Sequence, residues 1–136
     1  MYEFIGINDI RASEVLDSRG MPTVRAEVLL EDGTTSAACV PSGASTGKYE
    51  AVEKRDEDHH RFHGAGVLKA CGMVNKEIRN LLRGRNVLAQ QEIDRVLAEL
   101  DDTPNFSYVG ANAALAVSLA CARAAAVSLR VPLYQF

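Results

Sequence analysis

Apolar and polar residues alternate along the first forty positions of the chain, a pattern typical of half-buried β-strands. In residues 23–30 every second side chain is apolar, and the intervening ones are mostly polar. The dipeptide Asp32-Gly33 follows, and it favours a tight hairpin because glycine accepts positive φ. Residues 35–40 are therefore predicted to return as the neighbouring strand.

Upstream of this pair, residues 4–16 predict a long strand whose hydrophobic phase slips near Asp9, as it does at a β-bulge. The strand is expected to end at the turn sequence Asp-Ser-Arg-Gly, residues 17–20. There Asp17 is interpreted as a turn aspartate and Arg19 as an ion-pairing arginine, in preference to a catalytic pair. Together the three segments predict a three-stranded antiparallel meander.

The hydrophobic period then changes to that of a helix. From residue 67 onward, apolar side chains recur at spacings of four, three, four and three, which places them on one helical face. The residues concerned are Val67, Cys71, Val74, Ile78 and Leu81. A second helix is predicted around residues 93–100, and an alanine-rich helix after Gly110. Strands followed by helices indicate an α+β fold in which a helical bundle packs on one face of the meander.

Composition adds limits on the class of protein. A chain of 136 residues fits one domain, and its net charge of −3 with scattered Lys and Arg argues against nucleic-acid binding. The three cysteines are far apart and form no Cys-x-x-Cys pair, which suits a reducing, cytoplasmic setting. The apolar stretch 111–129 is rich in alanine, so we interpret it as a buried helix and expect no membrane span.

The segment "PSGASTGKYEA", residues 41–51, is the strongest candidate for chemistry. It does not match a Walker phosphate loop, because only three residues separate Gly43 from Gly47 and Lys48 is followed by Tyr49, which offers no Ser or Thr hydroxyl for magnesium. Two interpretations stay open from the residues alone. The segment is either an ordinary connecting loop, or a mobile flap whose backbone carbonyls and hydroxyls supply hard oxygen ligands to magnesium.

Two further clusters favour ordinary structural roles. His59 and His63 lie four residues apart, but no third ligand is placed to complete a metal site, so a polar turn is the preferred interpretation. The acidic residues between 50 and 58 are interpreted as lying near a helix N-terminus, where they would offset the helix dipole. The sequence by itself contains no convincing acid–base centre.

Several stretches, taken together, resemble the amino-terminal domain of enolase. They include "ASEVLDSRGMPTV", "VPSGASTGKYEA", "RDEDHHRFHGAGV", "VNKEI", "IDRVLAELDDT", "GANAALAVSLACARAAA" and "VPLYQF", in the family's order and spacing. The resemblance covers nearly the whole chain. It implies that residues 1–136 form a single lid domain, and that the carboxy-terminal catalytic barrel is absent from this chain.

The resemblance also implies a function for the small-residue segment. Enolases dehydrate 2-phosphoglycerate to phosphoenolpyruvate in glycolysis with two magnesium ions, and the segment is the flap that closes over the substrate. The matching flap residues are Ser42, Gly43, Ala44, Ser45, Thr46 and Gly47. Ser45 would bind the second magnesium through its carbonyl and hydroxyl oxygens. The catalytic residues lie on the barrel, so the isolated chain is expected to be inactive.

Five positions depart from the family's usual residues: Met21, Arg25, Glu57, Ala65 and Asp102. Glu57 and Asp102 stand where the family has glycine, so strain is expected if their backbones adopt positive φ. The resemblance implies a homodimer. Arg25 argues against that dimer, because it replaces an acidic residue that takes part in the family's subunit contacts. An alternative of another class is a stand-alone, non-catalytic module that kept the fold to bind a partner.

Overall fold

The computed structural model describes residues 4–41 and 47–136, and it begins with the predicted meander. Strands β1 (Ile7–Leu16), β2 (Pro22–Leu30) and β3 (Thr35–Cys39) pair antiparallel in the order β1-β2-β3. Ile7 pairs with Leu30 and Asp9 with Leu29, so β1 carries one extra residue there. This bulge confirms the predicted phase slip and lets both Ile7 and Ile10 point into the core.

Both connections between strands use the turn residues that the sequence suggested. At the first, Asp17 accepts backbone N–H bonds from Arg19 and Met21 at 2.8 and 2.9 Å, and Gly20 has φ of 74°. At the second, Gly33 has φ of 86° and donates its N–H to the Leu30 carbonyl. Asp17 is thus the predicted turn aspartate, and its carboxylate lies 3.8 Å from the Arg19 guanidinium.

The first helical run consists of α1 (Leu68–Met73), a π-helical segment (Val74–Ile78) and α2 (Arg79–Leu82). The predicted face is buried at all its positions up to Ile78. The last predicted position, Leu81, is partly buried and packs against the core, and its neighbour Leu82 is fully buried. A π-helical turn closes on the fifth residue instead of the fourth, so the buried face moves one residue along the chain.

The remaining helices are α3 (Gln90–Asp101) and α4 (Ala111–Leu129). Helix α4 packs on β2 and β3, and α3 packs on α4. By length and composition alone α4 could cross a membrane, but 56% of its most apolar window is buried within the protein. The alanine side chains permit this close approach to the sheet. The α+β architecture, with helices covering one face of the meander, is confirmed.

One expectation about the acidic segment was wrong. Residues 51–58 form a connection without regular secondary structure and not the start of a helix. Asp56 nevertheless serves a helix N-terminus, because its carboxylate accepts the backbone N–H groups of Leu68 and Lys69 at 2.9 and 2.8 Å. The acid therefore stabilises α1 from twelve residues away in the sequence, and a local pattern could not reveal that contact.

Candidate functional site

An open cleft of about 570 Å³ lies where the end of β3, residues 47–55 and the start of α4 meet. Pro41 and Gly47 both line it. Of the predicted flap residues, Ser42, Gly43, Ala44, Ser45 and Thr46 lie outside the described residues, and Gly47 is described. The cleft is therefore bounded by the two ends between which the predicted flap runs, and those ends define the candidate site.

The first end is fixed to the sheet beyond the last residue of β3. The Val40 N–H donates to the Val24 carbonyl at 3.1 Å, and its own carbonyl accepts the Thr23 hydroxyl at 2.7 Å. Val40 is 4% exposed and Thr23 is equally buried. Pro41 follows Val40 directly, so this side of the cleft is attached to the sheet.

The second end is fixed to the start of α4 by a set of main-chain bonds. Val52 donates its N–H to the Asn105 carbonyl at 2.8 Å and accepts the Ala111 N–H at 2.7 Å. Two residues later, Asn112 accepts the Lys54 N–H at 3.0 Å and donates its side-chain amide to the Lys54 carbonyl at 3.1 Å. Asn112 is 3% exposed, so a buried amide completes the pairing that a neighbouring strand would otherwise provide.

Gly110 makes this attachment sterically feasible. A Cβ at that position would lie 2.6 Å from the Lys54 Cβ and 2.8 Å from the Asn112 Oδ1. Its φ of 93° is also strained for any residue with a side chain. The glycine thus allows the chain around Lys54 to contact the first turn of α4.

The loop between α3 and α4 is organised by the carboxylate of Asp101, which is only 4% exposed. It accepts the N–H and hydroxyl of Thr103 on one oxygen, and the N–H groups of Tyr108 and Val109 on the other. Burial by itself raises the pKa of Asp101, but these hydrogen bonds outweigh it and hold the pKa below its ordinary value. The loop in turn supplies the Asn105 carbonyl that binds Val52.

Arg55 ties the same segment to the sheet and to the following loop. Its guanidinium donates to the carbonyls of Pro22 at 2.6 Å and Ala65 at 2.8 Å, and it pairs with Glu53 at 2.9 Å. Carbonyl acceptors hold the guanidinium in a fixed orientation, because its donors form a planar fork. Arg55 lines the cleft together with Glu53 and Glu50, so the polar groups at the opening include both charges.

The loop that follows is held by a second charged group. Arg61 donates to Glu14 on β1 at 2.6 Å and lies 3.7 Å from Asp56, while the other Glu14 oxygen accepts the Val67 N–H. Burial alone raises the pKa of Glu14, but the Arg61 pair and the Val67 hydrogen bond shift it to a net lower value. These contacts keep the return to α1 close to the sheet.

The three histidines fall outside the cleft lining. His59 and His60 form an exposed turn, and His63 lies in a short 3₁₀ helix, Phe62–Gly64, so the polar turn is confirmed. Residues 4–41 and 47–136 contain no group of three or more His, Cys, Asp or Glu arranged to hold a metal.

The cysteines differ in their surroundings. Cys39 is exposed at the end of β3, whereas Cys71 and Cys121 are buried. Burial raises the pKa of Cys71 to about 11 and that of Cys121 to about 12. Cys121 lies on α4 among the small buried residues of that helix.

Two of the five positions that depart from the family's usual residues have an unusual backbone conformation. Glu57 has φ of 60° and Asp102 has φ of 53°, so both occupy the left-handed region that favours glycine. Arg25, on β2, lies 3.5 Å from Glu27 of the same strand. The expected strain at Glu57 and Asp102 is confirmed as a backbone conformation.

The sequence interpretation missed the residues that support the cleft. These residues contact partners that are distant in sequence or that lie on a loop without periodicity. They are Asp101, Gly110 and Asn112. The signals that were present are modest: a buried polar residue on the apolar helix α4, and a glycine directly before that helix. The described contacts fix the chain at Val40 before residues 42–46 and at Val52 after them.

Comparison with known proteins gives two findings. The family model described as "Enolase, N-terminal domain" matches residues 7–136. The enolase of Ehrlichia canis (strain Jake) is 54% identical over 132 residues, which cover 97% of this chain and 31% of that protein. The chain therefore spans about a third of the length of that relative.

Proposed function

Because this chain belongs to the enolase family as its amino-terminal domain, we propose that it is the lid domain of an enolase that dehydrates 2-phosphoglycerate to phosphoenolpyruvate and water. The observation that carries the proposal is the match over residues 7–136 together with 54% identity to a curated enolase. The whole enzyme would be a cytoplasmic lyase of glycolysis. Its catalytic residues would lie on a carboxy-terminal barrel, the lid's principal partner.

Within that enzyme, residues Ser42 to Gly47 would be the flap that covers bound substrate. The described contacts support this role, because both ends of the segment are attached to rigid elements at Val40 and at Val52. Movement would then be confined to a short stretch, and its closed position would be reproducible. Closure would exclude water from the reacting groups.

Ser45 would be the domain's ligand to the second of two magnesium ions. Its hydroxyl and its backbone carbonyl are hard oxygen donors of the kind that Mg²⁺ prefers, so the donor chemistry fits. A bound Mg²⁺ supplies positive charge that stabilises negative charge developing on the substrate. The chain's own part is to deliver these oxygens when the flap closes and to withdraw them when it opens.

The test uses the full-length protein that carries this domain. Ser45→Ala keeps the carbonyl but removes the hydroxyl, so we expect turnover at limiting magnesium to fall by about tenfold or more. Saturating magnesium should recover part of the loss. The matched control is Ser18→Ala, an exposed serine in the first turn, which should leave turnover unchanged. Formation of phosphoenolpyruvate is followed by its ultraviolet absorbance.

Two results would count against the proposal. Unchanged magnesium dependence in Ser45→Ala would remove Ser45 as a ligand. Enzyme-like turnover of 2-phosphoglycerate by the 136-residue chain alone would overturn the assignment of catalysis to the barrel. A full-length protein without any turnover would instead support the alternative, a non-catalytic module.

A further inference from the structure

A groove of about 440 Å³ on the surface of α1 gathers most of the chain's lysines. The sequence contains four lysines, and three of them, Lys54, Lys69 and Lys76, line this groove. Lys69 and Lys76 lie on the helical run, and Lys54 lies in the connection formed by residues 51–58. The chain's net charge is −3, but in this lining three lysines outnumber one acidic residue, Glu77.

The positive charge of the groove is not neutralised internally. In the part of the chain that the structure describes, every ion pair is made by an arginine. The ammonium group of Lys54 donates to the Tyr108 carbonyl at 2.7 Å and lies 5.9 Å from the centre of the Tyr108 ring, so both its partners are uncharged. The acidic residue in the lining is Glu77, and both its oxygens accept the Tyr108 hydroxyl, at 2.8 and 2.9 Å.

The floor of the groove is apolar and has room for a side chain. Leu68 is 51% exposed, and Met73 is partly exposed beside it. Gly72 lies between them, and a Cβ built there would meet no atom within 4 Å. Thioether side chains adapt to differently shaped partners, which suits a recognition surface.

The helix beneath the groove carries two features that do not favour stability. Gly72 lies inside a helical run, where glycine costs about 1 kcal/mol relative to alanine. The π-helical segment begins at Val74, and such segments occur frequently at functional sites. Gly72 lies at the groove floor, and the π-helical segment contributes Lys76 and Glu77 to the lining while its Val74 and Ile78 are buried in the core.

We propose that this lysine groove, defined by Lys54, Leu68, Lys69, Gly72, Met73, Lys76 and Glu77, binds an acidic peptide segment of a partner protein. An apolar side chain of that segment occupies the space above Gly72, and its carboxylates contact the lysines. Charge complementarity identifies the partner, and the apolar floor distinguishes a peptide from a simple anion. Lysine suits carboxylates that approach from varied directions, because its ammonium is a flexible point charge.

The test measures fluorescence polarisation of a labelled eight-residue peptide made of Glu and Asp around one central Phe. The 136-residue chain is titrated at low ionic strength, after far-ultraviolet circular dichroism has verified the fold of each variant. Lys69→Gln combined with Lys76→Gln should weaken binding by about fivefold, the scale expected for two exposed charge pairs. Added salt should weaken binding to the unaltered chain, because it screens exposed charges.

Three matched arms make the result specific. Lys48→Gln removes the fourth lysine, which lies outside the groove, and should change binding by less than about twofold. Glu77→Gln removes the opposing charge and should tighten binding by about twofold, a gain that damage to the fold could not produce. Gly72→Leu should fill the floor and abolish the preference for the peptide with Phe over one with Ser at its centre.

Several outcomes would overturn the proposal. They are the absence of saturable binding below about 1 mM, equal losses in Lys48→Gln and in the double variant, and equal affinity for the Phe and Ser peptides. Displacement of the peptide by inorganic phosphate at equal concentration would show a simple anion site instead. Loss of flap function in Ser45→Ala has no bearing on this test, so the two proposals fail separately.

Discussion

Replacing Asp101 with asparagine tests whether one buried carboxylate organises the loop that supports the cleft. The carboxylate accepts four hydrogen bonds, from two groups of Thr103 and from the N–H groups of Tyr108 and Val109. Asparagine has nearly the same shape, but it offers one oxygen and turns an NH₂ group toward donors. At least one backbone N–H loses its acceptor, because the amide NH₂ can face Thr103 and donate to its hydroxyl, and the other three bonds are then made with a neutral amide instead of a carboxylate.

The expected loss can be worked from these contacts. A hydrogen bond to a charged group contributes about 1.5–3 kcal/mol, so losing one and weakening the other three by about 0.5–1 kcal/mol each lowers the free energy of unfolding by about 3–6 kcal/mol. That is a large share of the roughly 5–15 kcal/mol that holds a domain folded. The melting temperature should fall by about 10–20 °C. Urea denaturation followed by circular dichroism measures the difference directly.

Acidity supplies an independent check with a defined sign. The pKa of Asp101 is lower in the folded chain than its ordinary value, so the folded state favours the ionised form. The stabilisation is therefore complete above the unfolded pKa of about 3.9 and is lost as pH falls through the folded pKa. The difference in stability between the unaltered chain and Asp101→Asn should shrink as the pH is lowered below about 4.

The neighbouring residue provides the control. Asp102→Asn makes the same chemical change at an exposed position, and asparagine tolerates the left-handed backbone there, so stability should change by less than about 0.5 kcal/mol. If Asp101→Asn cost less than about 1 kcal/mol, or no more than this control, Asp101 would not be the organising group.

Two further substitutions test backbone geometry by urea denaturation. Gly110→Ala should destabilise the chain by about 2–3 kcal/mol, because its Cβ would meet Lys54 and Asn112. The control is Gly20→Ala, because Gly20 has φ of 74° and a Cβ there would meet no atom within 4 Å. It tests the backbone strain alone and should lower the free energy of unfolding by about 1 kcal/mol. Equal losses in the two variants would refute the contact at Gly110. Asp102→Gly should stabilise by about 0.5–1 kcal/mol by relieving the left-handed strain, whereas Asp102→Ala should not; an equal gain from both would contradict this explanation.

Local patterns predicted the sheet because each signal acts over a few residues. The alternation in residues 23–30, the slip near Asp9 and the dipeptide at Asp32 each depend on neighbouring positions, and all three were confirmed. The helical face was predicted correctly until Ile78. It then shifted to Leu82, because a π-helical turn leaves no mark in a pattern that assumes regular helix.

The candidate site was less predictable because its supports connect distant residues. Asn112 pairs with Lys54 across 58 positions, and Asp56 serves a helix twelve residues downstream. A carboxylate in an acidic run cannot be assigned such a role until the tertiary fold brings the partners together. The flap prediction for residues 42–47 came from the resemblance, and it stays a prediction.

The unequal exposure of the cysteines has a practical consequence for observing the flap. Maleimide chemistry requires an accessible thiol that ionises, and burial with a raised pKa suppresses both conditions at Cys71 and Cys121. Cys39 is exposed and lies only two residues before Pro41. Within the 136 residues Cys39 thus offers an accessible attachment point for a fluorophore beside the proposed flap, and such a label would report the closure that the proposal requires.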